Sequence, residues 1–187
     1  MSEDLVDFGR AQLLGAEAIG EPGNRRFRIY ARSPQGSASL WLEREQLDAL
    51  GQAMEQLIAR ITSGLALQIE AVAKLPKPPG APADFPEEPD VEFLVGNMQI
   101  GYDESVERTT LRAGPLILID REGEYYAQDD GELPFSISFS RAQTEQLAQH
   151  IRSIMASGRP RCPFCGRPME PNHMCDKQNG FHPAALN

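Results

Sequence analysis

Two stretches of this chain can be laid on one another without a gap, and that match limits the available folds more than any other feature. "SLWLEREQLDALGQAMEQLIARI" begins at Ser39 and "SISFSRAQTEQLAQHIRSIMASG" at Ser136. At this constant offset Ser39, Arg44, Gln46 and Leu50 coincide in identity with Ser136, Arg141, Gln143 and Leu147. Each stretch opens with alternating apolar residues, the period of a strand covered on one face. It then shifts to the spacing of an amphipathic helix. Leu47, Leu50, Met54, Leu57, Ile58 and Ile61 form one apolar stripe. Leu147, Ile151, Ile154 and Met155 repeat it, with Ser140 placed to cap the second helix.

Short apolar or alternating runs precede both stretches. "AQLLGAEAIG", "RRFRIYAR" and "SASLWL" are separated by the turn sequences "EPGN" and "SPQG"; "VEFLVGNMQIGY", "RTTLRAGPLILIDR" and "FSISFS" are separated by "DES", "REGE" and "DDGELP". The pattern predicts an α+β protein of two tandem β-β-β-α repeats. They occupy residues 1–73 and 91–158 and share or pack antiparallel sheets, because three strands and one helix are too few to stand alone. "SGLALQIEAVAKL", after the first helix, either extends it or forms a second short one. Between the units, residues 74–90 read "KLPKPPGAPADFPEEPD", a proline-rich acidic linker whose extended backbone is expected to stay out of a core.

The remaining residues, 159–187, pose a different problem. All three cysteines of the protein lie here, in "RCPFCGRPMEPNHMCDKQNGFH". The segment has few apolar side chains and cannot offset its own ordering entropy by burial. A metal can. Two residues between Cys162 and Cys165 let both sulfurs face one ion, and Gly166 can turn the chain beneath them. "NHMCD" adds His173 and Cys175. The predicted ligand set is Cys162, Cys165, His173 and Cys175, with His182 as the rival nitrogen. Three thiolates and a neutral imidazole suit zinc, and four protein ligands leave no position for a reactive water, so the tail reads as a structural, zinc-ribbon-like module.

Two other readings of the cysteines compete. "CPFC" also occurs in thiol–disulfide enzymes, but those place the pair at the amino end of a continuing helix, which Gly166 and Pro168 would stop. Spectator thiols favour buried apolar sites, unlike this polar, proline-rich segment.

The opening "DFGRAQLLGAEAIG", the "LEREQL" that starts the first helix, "VGNMQIGYDE" and the ending "GRPRCPFCGRPMEPNHMCDKQNG" together resemble the DUF3090 family of bacteria. Members tend toward a glycine before the tail histidine and a proline-arginine pair after the last cysteine. Here Asn172 and Asp176-Lys177 occupy those places. The resemblance implies a cytosolic protein encoded in some bacteria beside a phosphatase-like and a kinase-like protein. It implies no reaction and no catalytic residue.

Composition narrows the function classes. A formal net charge of −9 opposes a nucleic-acid partner for the body of the chain. The tail carries Arg159, Arg161, Arg167 and Lys177 against Glu170 and Asp176, an excess too small to mark a nucleic-acid surface. The acidic start "MSEDLVDFGRAQ" is not a secretory signal, no run is long enough to span a membrane, and clustered thiols suit a reducing cytoplasm. No phosphate loop or nucleophile elbow is present. His150 reads as a surface or half-buried helical residue, Trp41 as core or, if exposed, a stacking surface, with core favoured, and Asp103, Glu104, Asp129 and Asp130 as turn residues. The expected function is a non-enzymatic adaptor or regulatory binding protein with a protein partner, possible homo-oligomerisation and a zinc cofactor. The alternative is an enzyme or accessory subunit acting on a phosphorylated metabolite or nucleotide, which predicts Arg26, Arg28, Arg44 and Arg141 gathered around a cleft.

Overall fold

Alternating strands whose inner residues are apolar, followed twice by a helix with one apolar stripe, give an α+β fold in which the helices cover a curved sheet. The computed structural model describes residues 6–21, 23–62, 80–121, 124–128 and 131–157, together with Cys162, Phe164, Cys165 and Cys175. The first part contains β1 (Val6–Arg10), β2 (Leu13–Ile19), β3 (Arg26–Ser33), β4 (Gly36–Leu42) and α1 (Arg44–Ile61). The second contains β5 (Val91–Asp103), β6 (Arg108–Pro115), β7 (Ile117–Arg121), β8 (Glu124–Gln128), β9 (Phe135–Ser140) and α2 (Arg141–Ala156). Residues 63–75, where a helix extension was expected, lie outside the described residues, as does the Asp129-Asp130 pair.

Seven strands form one mixed sheet in the order β1-β9-β6-β5-β4-β3-β2, and β7 pairs with β8 as a separate hairpin. The expectation of antiparallel sheets is corrected here. β4 runs parallel to β5, and β9 parallel to β1. For β4 and β5 the reason is the connectivity: α1 returns the chain after β4, so the next strand can start beside it in the same direction. The second half also departs from a plain three-strand pattern. "RTTLRAGPLILIDR" is not one strand but β6 and β7, broken after Pro115, and the β7–β8 hairpin is inserted before β9.

β1 and β2 stand at opposite ends of the sheet, yet only Ala11 and Gln12 separate them in the chain. The Ala11 amide donates to Ser138 O of β9 and the Gln12 amide to Arg32 O of β3. The two ends are therefore one bent strand, and the sheet closes on itself as a barrel. β5 does the same work opposite. Val91–Leu94 pair with β4 and Val95–Asp103 with β6, with a register shift at Val95/Asn97. Each half thus begins with a strand that leaves the other half's third strand and joins its own second strand.

The core lies inside this barrel and beneath the helices. Ala16, Ile29, Leu40, Leu111, Ile137 and Phe139 fill it from the sheet, and Leu47, Met54, Leu147 and Ile151 from the helices. Phe135 meets Phe8 at 5.3 Å and Phe93 at 6.0 Å between ring centroids. The helices pack on each other where α1 carries Gly51; a Cβ there would lie 2.6 Å from Ile151 Cγ2. Arg152 Nε donates to Glu55 Oε1 across the same contact at 2.8 Å.

Both helix starts are tied down in one way. The Glu43 amide donates to Gln46 Oε1, and Gln46 Nε2 donates to Val95 O, the point where β5 changes partner. The Ser140 amide donates to Gln143 Oε1, and Gln143 Nε2 donates to Ala11 O, between β1 and β2. Ser140 also caps as expected, accepting from the Gln143 amide.

Residues 80–90 do not stand clear of the fold. They lie as a strap across the outer face of β2, β3 and β4. Phe85 is 8% exposed and meets the Tyr30 ring edge-on at 5.7 Å. Tyr30 Oη donates to Gly80 O, Glu17 accepts from the Ala81 amide, Arg32 binds the Asp84 carboxylate and carbonyl, and Asp90 accepts from the amide and hydroxyl of Ser37. Proline stiffness set against an aromatic anchor explains the docking: the extended backbone loses little entropy, and one ring supplies the burial.

Candidate metal centre

A cysteine pair held two residues apart brings its sulfurs together only if the chain between them turns, and Phe164-Cys165 form such a turn. Cys175 arrives from further along the tail. The ligand atoms of Cys162, Cys165 and Cys175 all lie within 4.8 Å of one another, and none of the three is in a disulfide. Sulfurs bound about 2.3 Å from one tetrahedral zinc stand roughly 3.8 Å apart, so this spacing accommodates a shared ion. Cys162 and Cys175 are buried, at 4% and 6% exposure, whereas Cys165 is half-buried beside the exposed Phe164 ring. Three sulfurs in a small, mostly shielded volume form a soft donor set, which favours zinc over oxygen-seeking cations. His173 and His182, the two candidates for a nitrogen ligand, lie outside the described residues.

Among the described residues, the four arginines singled out by sequence do not gather around one cleft. Arg26, Arg28, Arg44 and Arg141 are divided. Arg44 and Arg141 open α1 and α2, and Arg141 pairs with Glu145 one turn on. Arg26 and Arg28 lie together on the outer face of β3, over Trp41 at 4.1 and 5.5 Å. Arg28 is already paired with Glu17. Trp41 is therefore not core, as expected from its apolar neighbours, but half-buried on the outer face, donating through Nε1 to Glu92 at 2.7 Å. The strand period explains it: Leu40 and Leu42 point inward, so the residue between them must point out.

With the strap in place, this face becomes a ladder of alternating cations and rings: Arg26, Trp41, Arg28, Phe85 and Arg32. Sequence reading missed it. The available signal was the period-2 spacing of Arg26, Arg28 and Arg32 on one strand face. Hydrogen bonds from Arg32 and from the Ser37 amide hold Asp84 and Asp90 below the usual carboxylate range. Burial, reinforced by the Glu17 charge, pushes the Tyr30 hydroxyl above its ordinary value and keeps it a donor. His150 is half-buried on α2, and burial lowers its pKa. Asp103 is a hairpin-turn residue as expected, accepting from the Ser105 amide and hydroxyl.

Fold and site together define the class: an α+β barrel protein with two packed helices and a three-cysteine centre able to hold a metal ion. The chain belongs to the DUF3090 family, described as proteins of unknown function, whose model matches residues 6–175. No curated protein matches the chain, and no solved structure does. Among the described residues, no helix is long and apolar enough to cross a membrane.

Proposed function

We propose that the protein is a non-enzymatic adaptor or regulatory binding protein whose tail is shaped by one structural zinc ion bound to Cys162, Cys165, Cys175 and His173. The observation that carries the metal reading is the convergence of three sulfurs within 4.8 Å in a segment with little apolar mass. Zinc so held has a full coordination shell. Its contribution is shape rather than reaction, worth roughly 10 kcal/mol or more of folding free energy in small zinc modules. The body would then present binding surfaces, and the thiolates would require a reducing compartment.

The adaptor reading further takes the body as an internal duplication. Its support is the paired roles of Gln46 and Gln143 and the contact of Glu55 with Arg152, residues that coincide at the offset relating Ser39 to Ser136. Comparing sequence profiles of the two half-chains across the family tests this, and profiles no more alike than those of unrelated strand–helix units sink it.

Metal analysis of the purified chain tests the centre. One equivalent of zinc is expected, lost in Cys162→Ser and in His173→Ala but retained in His182→Ala. Zinc-free protein with all three thiols readily alkylated would end the proposal.

A further inference from the structure

Gln46, Ala49, Leu50 and Ala53 share one face of α1 by their spacing, and that face looks toward β5. Gln46 fixes its start by donating to Val95 O and, at 3.3 Å, to Gly96 O. Met98 and Ile100 point to one side of β5 and lie half-buried against the core. Helix and strand do not close on each other. A cavity of about 420 Å³ opens between them, walled by Ala49, Leu50, Ala53, Met98 and Ile100. The second helix shows what closes such a gap. At the offset that aligns Ser39 with Ser136, Gln143, Gln146, Leu147 and His150 hold the same places on α2, and Gln143 reaches Ala11 O beside β2 as Gln46 reaches β5. Where α1 has Ala53, α2 has His150, a half-buried ring whose Nδ1 is shielded from solvent. α2 lies closer along β2 than α1 does along β5. A methyl group in place of a ring leaves room for a ring.

We propose that the α1–β5 cavity binds a free, uncharged small molecule built on an aromatic ring. Its volume lies in the range of ligand pockets, and smaller apolar cavities already accept benzene. Leu50 and Ile100 offer aliphatic contacts to the faces of a ring, and the Met98 thioether suits its edge. Among the described residues that line the cavity none is ionisable, so a charged ligand would lose its hydration without gaining a partner. The setting does not suit a knob from another protein. Next to Ala49 and Ala53 on α1, Asp48 and Gln52 are exposed and hydrogen-bonded to each other, where the core of a protein interface would be apolar and free of charge. Only matching helix positions enter here, so the site stands apart from the adaptor reading, from common descent of the two halves and from the tail's metal.

Indole serves as the neutral probe, titrated into the full-length protein and followed by side-chain methyl NMR. Saturable shifts are expected at Leu50, Ala53, Met98 and Ile100, with a Kd of about 1 mM or tighter. Indole-3-acetate adds a carboxylate to the same ring and should bind at least about tenfold more weakly, because its charge finds no partner in the cavity and meets a chain of net charge −9. Ala53→His gives α1 the ring that α2 already carries and should remove the shifts. Ala49→Leu narrows the cavity from the same wall and should also weaken binding, so the test does not hang on one variant folding. N-acetyl-tryptophanamide, which presents the ring as a peptide would, should bind no better than indole. Shifts that do not saturate, or a Kd weaker than about 1 mM, overturn the proposal. So do equal affinity for indole-3-acetate and binding unchanged in both folded variants. Binding of the blocked tryptophan about tenfold tighter than indole overturns it as well, since the occupant would then be a partner's side chain.

Discussion

Gly15 lies under the Tyr30 ring, and a Cβ there would stand 2.2 Å from the hydroxyl oxygen. That ring holds the strap through Gly80 and Phe85. Gly15→Ala therefore forces Tyr30 aside and is expected to cost about 1–3 kcal/mol by overpacking, read as a lower midpoint in urea with an unchanged slope. The strap also carries a pH signature. The folded-state pKa of Asp90 is depressed, mainly by the Ser37 amide and then by the Ser37 hydroxyl. Its contribution is present above the unfolded carboxylate value of about 3.9 and is lost as pH falls through the lower, folded value. Hydrogen exchange of the Ser37 amide should accelerate below that range in the wild type. In Asp90→Asn the acid step should be missing; an identical step in both would mean that another group governs it.

At the scale of elements, a single device secures both helices. Gln46 and Gln143 each close a helix start with the side-chain oxygen and reach the crossing point of the neighbouring strand with the nitrogen. Removing either unties a cap and a strand at once. Gln46→Ala and Gln143→Ala are expected to destabilise by similar amounts, about 1–2 kcal/mol each; a cost confined to one of them would mean the two ends are not equivalent. Both glutamines stood in the sequence match, and both helices begin where periodicity placed them, because amphipathic spacing is a local signal. The parallel junctions were not legible in the same way. Val6-Asp7-Phe8 and Val91-Glu92-Phe93 are near-identical triplets that pair with the other half's third strand, but a strand's partner is a long-range property. The break after Pro115 was also missed, since an unbroken apolar run hides a change of sheet. Phe85 was hidden by its setting, because proline and acid around it suggested solvent.

For the molecule as a whole, the question is how the tail relates to the body. The convergence of the cysteines was legible because two-residue spacing and clustering have one economical explanation in a polar segment; the nitrogen ligand was not, because His173 and His182 are both close in sequence. The body has its own continuous core of strand and helix residues, to which no cysteine belongs. The tail sequence has no comparable apolar set, so on the proposed zinc reading its order would depend on the ion while that of the body would not. Stripping the metal with a strong chelator under reducing conditions should therefore leave the far-ultraviolet signal and the thermal midpoint of the body almost unchanged. Amides around Cys162, Cys165 and Cys175 should lose protection, and readdition of zinc should restore it. A body that melts in step with metal loss would instead make the centre part of the core's cooperative unit, and the tail would have to be treated as a structural wall of the barrel rather than as a separately folded module.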